Sequence, residues 1–186
     1  MDVLQAIHTR QSIGRVKPDP VPKNLIEALL EAAVQAPNHY KVRPWRFIVM
    51  TGDARARLGE VMAASRRRKD PAAAEESLAH ERAKPLRAPV LIAVGVDKPS
   101  IPKAIEIENV CAAAAAVENM LLAAHALGLA AMWRTGPAAY DADVKAFLGL
   151  APDQHLIGFV YAGYAEASPT PPQRPSHEDR TAWLDE

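Results

Sequence analysis

The run Val90-Leu-Ile-Ala-Val-Gly-Val96, which follows Pro89, contains no polar side chain. An apolar run of this length, bounded by a proline, predicts a β-strand in a sheet that other elements cover. A second run, Trp45-Arg-Phe-Ile-Val-Met-Thr51, is rich in β-branched and aromatic residues and ends before Gly52, as a buried strand does. Residues 129–133 and 157–163 show the same character, so the sequence predicts four strands.

The segments between these strands carry apolar residues at helical spacing. They predict a helix over residues 2–9 with Asp2 as its cap, helices over residues 23–35, 104–127 and 141–148, and one or two polar helices over residues 54–84 with a break at Pro71. Four short strands separated by helices indicate an α+β fold whose sheet is covered by helices. We expect one domain over residues 1–186, in which residues 175–186 form a tail or an arm that packs on another subunit.

Composition excludes several classes of protein. The chain is 49% hydrophobic, and its 22 Lys and Arg residues balance 22 Asp and Glu residues, so no broad field would steer it to nucleic acid or to an anionic membrane. A single cysteine, Cys111, rules out an internal disulfide. No segment reaches the ~18 uninterrupted apolar residues of a membrane span, and Met1-Asp2-Val3 does not resemble a signal peptide. These features predict a cytoplasmic protein with no nucleic-acid or membrane partner.

Common catalytic signatures are missing from the sequence. It has no Gly-x-Gly-x-x-Gly, Gly-x-x-x-x-Gly-Lys-Ser/Thr, Gly-x-Ser-x-Gly or His-Glu-x-x-His motif. The six histidines are scattered without the spacing of metal ligands, so no metal site is expected. Candidate residues cluster instead at the ends of predicted elements, where sites are usually built.

The order of four such ends is specific. Arg10-Gln11-Ser12 closes the first helix, Ala36-Pro37-Asn38-His39 follows the second, Arg43-Pro44-Trp45 opens the first strand, and Trp133-Arg134-Thr135-Gly136 closes the third. Taken together, this set resembles the nitroreductase family of FMN-dependent oxidoreductases, in particular its small single-module members, from residue 1 to about residue 174. The resemblance implies an α+β fold with a mixed central sheet flanked by helices, in a homodimer with FMN at the interface.

The resemblance also implies roles for individual residues. Those expected to bind the cofactor are Arg10, Gln11, Ser12, Gln35, His39, Trp133, Arg134, Thr135 and Arg174. Arg10 and Ser12 would contact the flavin and its phosphate, to which a guanidinium offers planar, bidentate donors. Gln35 and His39 would reach the flavin of the other subunit, and residues 133–135 would lie beside the ring and the ribityl chain. Arg174 ends a proline-rich segment that could reach the phosphate.

Each of these residues also has a purely structural interpretation. Arg10 could be a cation that stabilises the carboxyl end of its own helix. His39 could be a loop histidine that bonds a nearby carbonyl, and Trp133 could be an ordinary core residue of its strand. The small side chains of Cys111-Ala-Ala-Ala-Ala-Ala116 surround a helix on every side, which predicts a second face for a symmetry-related helix or burial beneath this chain's own sheet.

The sequence departs from the family pattern around the expected substrate channel. Gly14 stands where many members have a second arginine, and Val16 stands where they have an aromatic residue. Lys41 and Arg43 replace residues of an Asn-x-Gln-Pro-Trp motif, which would add positive charge near the ring or the channel. These differences do not remove the expected flavin site, but they leave the identity of the electron acceptor undetermined.

The function implied is an NAD(P)H oxidoreductase with FMN as cofactor and NADH or NADPH as electron donor. It would reduce nitroaromatics, quinones or similar small acceptors by ping-pong hydride transfer through the flavin, so no catalytic side chain is required. The same scaffold would also suit a flavin-dependent reductive dehalogenase or ring reductase, or a non-catalytic FMN-binding dimeric module.

Overall fold

The computed structural model describes residues 1–168, 170 and 172–184. Pro171 of the proline-rich segment, and Asp185 and Glu186 of the predicted tail, lie outside the described residues. The helices are α1 (Val3–Thr9), α2 (Lys23–Ala33), α3 (Asp53–Lys69), α4 (Glu75–Ala83), α5 (Glu106–Ala126) and α6 (Ala142–Phe147). The strands are β1 (Trp45–Met50), β2 (Val90–Val96), β3 (Ala130–Arg134) and β4 (His155–Gly163).

The four strands form one sheet in the order β1-β2-β4-β3, which confirms the α+β class. Each of the three neighbouring pairs is antiparallel, so the expectation of a mixed sheet was wrong for the four strands of the described residues. The reason is the position of β4. Strands β2 and β3 run in the same direction, but β4 lies between them and pairs antiparallel with both.

Helices cover both faces of the sheet, and this explains why β2 has no polar side chain. Val90, Ile92 and Val94 belong to one core cluster with residues of α2 and α5. Leu91 and Ala93 point to the other side, into a cluster formed with α3 and α6. Since successive side chains of a strand alternate between faces, a strand covered on both sides must be apolar throughout.

Several local predictions are confirmed. Asp2 caps α1, because its side chain accepts a hydrogen bond of 2.8 Å from the Gln5 amide. The polar segment over residues 54–84 contains two helices, α3 and α4, and Pro71 lies in the turn between them. Strand β4 begins at His155, two residues before the predicted start.

Helix α5 lies across one face of the sheet and is only partly covered. Ala112, Ala113 and Ala116 of its alanine run are buried. A stripe of four residues at helical spacing faces outward and is called here the α5 stripe: Ile107, Cys111, Ala114 and Glu118. By length and composition alone α5 could cross a membrane, but its buried side chains belong to the core, as in the central helix of a soluble fold.

Helix α1 packs on α5 through little surface. Ala6 is its only buried residue. Val3, Leu4 and Ile7 have exposed fractions of 67%, 63% and 48%, so most of the apolar side of α1 faces outward.

Candidate functional site

Arg10 directly follows α1 and points its side chain at α5. Its Nε lies 3.2 Å from Oε1 of Glu118, and the side chain is only 19% exposed. The Nε atom is buried, and the geometry of the ion pair does not satisfy it with a hydrogen bond. A buried donor without an acceptor is rare in folded proteins and marks a place where an additional acceptor fits.

The carboxyl-terminal segment folds back onto this end of α1. Arg174 donates a hydrogen bond of 3.0 Å from Nη2 to the carbonyl oxygen of Arg10. Gln11 donates one of 2.5 Å from Nε2 to the carbonyl oxygen of Thr170. The chain therefore brings Arg10, Gln11 and Arg174 together across more than 160 residues, and the exposed Ser12 lies next to them in sequence.

The segment that follows Ser12 runs beside the sheet. The Ile13 amide donates a hydrogen bond of 3.1 Å to the carbonyl of Ala131 in β3. Val16 forms an isolated antiparallel bridge with Ala165, just after β4. These bonds hold residues 13–16 against the start of β3 and the segment after β4, so the chain that follows α1 is attached to the sheet.

Trp133 lies near the end of β3 and is 36% exposed. Its indole Nε1 donates a hydrogen bond of 3.1 Å to the carbonyl of Ile157 in β4. The packing requires a glycine opposite it, because a Cβ on Gly158 would lie 2.6 Å from that indole nitrogen and 2.5 Å from the Arg134 carbonyl oxygen. Gly158 also has a φ of +135°, which other residues rarely adopt.

Trp133 borders an open cavity of about 570 Å³ between β4 and α5. Val110 and Ala114 of α5 form part of its apolar wall, and Tyr140 lies on its outer side. Ala114 and Glu118 are one helical turn apart, which is about 6 Å along the axis. The cavity beside Trp133 and the ion pair of Arg10 therefore lie along the same side of α5, at neighbouring turns.

The rim of this cavity is charged. Glu106, the first residue of α5, accepts a hydrogen bond of 2.8 Å from Lys98 and a second bond from His155. These two bonds hold the pKa of the Glu106 carboxyl below its usual value. The cavity thus joins an apolar wall to a polar rim.

Residues after Trp133 line a separate, smaller cavity. Arg134, Thr135 and Gly136 border a volume of about 170 Å³ together with Lys84 and Arg87, which sequence analysis did not single out. Only their position just before β2 could have indicated them, because the contact with β3 is tertiary.

Tyr161 also lines this smaller cavity. Burial raises the pKa of its phenol, and the positive charges of Arg134 and Arg87 offset only part of that rise. Three basic side chains, those of Lys84, Arg87 and Arg134, thus surround one small space at the end of the sheet.

His39 lies on the other side of the α5 stripe. It borders a cavity of about 500 Å³ with Cys111 and Ala115, and its Nδ1 is 4.0 Å from Oε2 of Glu108. Gln35 is exposed, and its side chain donates a long hydrogen bond of 3.4 Å to the Glu31 carbonyl.

One chain does not bring His39 to Arg10. Their partners on α5, Glu108 and Glu118, are ten residues apart, which corresponds to about 15 Å along the helix. The cavities beside His39 and Trp133 share Ile107, so they lie on the two sides of the α5 stripe. No cluster of three or more His, Cys, Asp or Glu side chains that could hold a metal ion occurs in residues 1–168, 170 and 172–184.

Comparison with known proteins supports one family. The sequence model of the nitroreductase family matches residues 7–164. "Putative NAD(P)H nitroreductase YdjA" of Escherichia coli K12 is 31% identical over 166 residues, which cover 88% of each chain. "Putative NAD(P)H nitroreductase YfhC" of Bacillus subtilis is 29% identical over 94% of this chain and 90% of its own.

Solved structures agree with the sequence relatives. The nitroreductase-like family protein from Bacillus cereus superposes with a TM-score of 0.84 at 25% identity, over 100% of this chain and 97% of that one. A nitroreductase from Desulfovibrio desulfuricans, solved in complex with FMN, has a TM-score of 0.75 at 31% identity over the same shares of the two chains.

Proposed function

Since this chain belongs to the nitroreductase family, we propose that it is an FMN-dependent NAD(P)H oxidoreductase that reduces nitroaromatics, quinones or similar small acceptors. The names of the relatives specify NAD(P)H, and the structure from Desulfovibrio desulfuricans contains FMN. The observation in this chain that carries the proposal is the buried Arg10 donor without a hydrogen-bond acceptor, beside Arg174 and Ser12.

These residues fit the phosphate of FMN. A phosphate monoester carries nearly two negative charges, and hydrogen bonds between charged partners are about twice as strong as neutral ones. Arg10 would donate hydrogen bonds from its guanidinium, and Arg174 would add a second positive charge from the tail. The exposed hydroxyl of Ser12 would complete the set, with Gln11 fixing the tail through Thr170.

The end of β3 fits the other end of the cofactor. Trp133 would form an apolar wall beside the ring, and its bond to Ile157 fixes its orientation. Arg134, Lys84 and Arg87, which line the separate smaller cavity, would add positive charge at the same end of the sheet, which favours electron uptake. When bound, FMN accepts a hydride from NAD(P)H and passes it to the acceptor, so these side chains bind and orient and take no covalent part.

A homodimer would complete the site. His39 lies on the far side of the α5 stripe from Trp133, so a second chain docked along that stripe would bring its own His39, with Gln35 nearby in sequence, toward this chain's flavin. The exposed apolar side chains of Ile107 and of α1 would be covered in the same interface. A cytoplasmic location remains a prediction from the sequence.

Two measurements test the proposal. The purified protein should be yellow, or become so with FMN, and it should bind FMN more tightly than riboflavin, which lacks the phosphate. The loaded protein should then oxidise NADH or NADPH when given nitro or quinone acceptors, and a parallel panel of halogenated acceptors separates a dehalogenase. A colourless protein that gives no flavin spectrum with added FMN would contradict the proposal, and FMN binding without turnover would indicate a non-catalytic module.

A further inference from the structure

The loop between α2 and β1 has an unusual backbone. Tyr40, Lys41 and Arg43 have φ values of 51°, 55° and 50°, in the left-handed region that favours glycine. Such a conformation costs on the order of 1 kcal/mol for each residue that is not glycine. Strain of this kind concentrates at functional sites. The name "38–43 knuckle" is used here for residues 38–43.

Local bonds hold the knuckle in this shape. The Asn38 side-chain oxygen accepts a hydrogen bond of 2.9 Å from the Arg43 amide, and the His39 carbonyl accepts one of 3.2 Å from Val42. Pro44, which follows, is fully buried and anchors the end of the loop at the start of β1. The knuckle therefore presents its outward side chains from a fixed backbone.

Two of those outward side chains are cations without an ion pair. Lys41 and Arg43 are exposed, and no carboxylate in the described part of the chain lies within 4.0 Å of either one. Arg46, only three residues further along, is paired with Asp97 at 2.5 Å, and hydrogen bonding to that carboxylate raises the pKa of its guanidinium. The knuckle therefore carries two positive charges that no carboxylate of the described residues neutralises, three residues away from a cation that is neutralised.

We propose that Lys41 and Arg43 select acceptors that carry a carboxylate, such as nitrobenzoates. The inference rests on the proposed function, in which His39 faces the flavin of the partner subunit. Lys41 and Arg43 follow His39 by two and four residues in the same hydrogen-bonded loop, so a dimer that brings His39 to the partner's flavin would bring the knuckle to the same edge of that site. A substrate stacked on the flavin would then place its charged substituent near the knuckle, while the aromatic ring of the substrate packs against apolar side chains.

The charge effect has a definite expected size. Two opposite charges a few ångströms apart near a protein surface attract appreciably, but water and salt screen much of that attraction. We expect about a tenfold preference for a carboxylate over a neutral amide of the same shape. The fixed backbone favours binding because only the two side chains, and not the loop itself, have to be ordered when the substrate binds.

The test compares 4-nitrobenzoate with 4-nitrobenzamide, which differ in charge and hardly in shape. The double variant Lys41→Gln/Arg43→Gln should lose about tenfold in kcat/KM for the benzoate and less than twofold for the benzamide. Calorimetric titration of the oxidised, FMN-loaded protein with each compound should show the same loss in affinity for the benzoate alone. The control is Lys17→Gln/Arg67→Gln, which removes the same charge outside the knuckle. It should change neither the kcat/KM preference nor the binding preference for the benzoate over the benzamide.

Other results would overturn the inference. Three results would each show that Lys41 and Arg43 do not recognise the carboxylate. They are equal losses in kcat/KM for the two compounds, an unchanged preference for the benzoate in the knuckle variant, and a loss of the same size in the control variant. A fall in the NADPH to NADH ratio with no change in acceptor preference would assign the two cations to the phosphate of the donor instead. If the FMN-loaded wild-type protein reduced quinones but neither of these two compounds, the inference alone would fail. If it reduced no nitro or quinone acceptor with NADH or NADPH, the proposed function itself would fail, and the inference with it.

Discussion

Asp141 joins α3 to α6, and replacing it with asparagine should lower the free energy of unfolding by about 2 kcal/mol at pH 7. The residue is only 2% exposed. One carboxylate oxygen accepts the amides of Asp143 and Val144 at 3.0 and 3.2 Å and so caps α6, and the other accepts hydrogen bonds from Ser65 and Lys69 of α3.

The magnitude follows from the pKa of Asp141. Burial by itself raises this pKa, but the hydrogen bonds from Lys69 and Ser65 outweigh burial and lower it from 3.8 to about 2. A shift of this size corresponds to about 2 kcal/mol that favours the ionised, folded state. Because the folded pKa is lower than the unfolded one, this stabilisation is present above about pH 4 and is lost as the pH falls toward 2.

Urea unfolding at fixed protein and FMN concentrations, from pH 7 down to pH 3, measures this difference. The gap between wild type and Asp141→Asn should be largest at pH 7 and should shrink in acid. Asp143→Asn is the matched control, since Asp143 is 46% exposed and its side chain pairs with Arg68 at the surface. It should change stability by less than about 1 kcal/mol. Equal stability of Asp141→Asn and wild type across this pH range would refute the reasoning.

Three further outcomes are expected. Arg10→Ala should weaken FMN binding by roughly 1.5–3 kcal/mol, the scale of a lost hydrogen bond to a charged group. It should change riboflavin binding little, and Arg67→Ala should change the binding of neither compound. Equal FMN affinities of the two variants in a fluorescence titration would make Arg10 only a helix-end cation. If each site takes Arg10 from one chain and His39 from the other, mixing an Arg10→Ala chain with a His39→Ala chain should give heterodimers with one intact and one doubly damaged site. A protein that sediments as a monomer with FMN fully bound would exclude such a shared site. Gly158→Ala should destabilise the protein by at least about 2 kcal/mol in thermal unfolding, because its Cβ would overlap Trp133 and the neighbouring backbone, and a smaller loss would mean that β3 can shift.

Local pattern was enough to predict most of the elements. The cap at Asp2, the break at Pro71 and the apolar run of β2 each depend on a few neighbouring residues, and each is confirmed. The order of the strands was not predictable in this way. The placement of β4 between β2 and β3 depends on pairs such as Ile92 with Val160, which are far apart in sequence.

The same difference between local and long-range contacts applies to the candidate site. Sequence order singled out Arg10, Trp133 and Arg174, and the structure places Arg174 against Arg10, while their roles in binding stay predictions. Lys84 and Arg87 escaped notice because nothing in their local sequence differs from an ordinary polar segment. They join Arg134 only when the sheet has formed.

The weak packing of α1 also affects how the chain is made. Thr9 at its end bonds His125 of α5, which lies 116 residues later. At roughly 5–20 residues per second, a ribosome needs on the order of 10 s to synthesise the intervening chain. During that interval Val3, Leu4 and Ile7 have no surface to cover them, and even in the finished fold they stay largely exposed. A newly made chain therefore carries an apolar helix that has no packing surface through most of its synthesis, and the folded chain alone supplies very little of one.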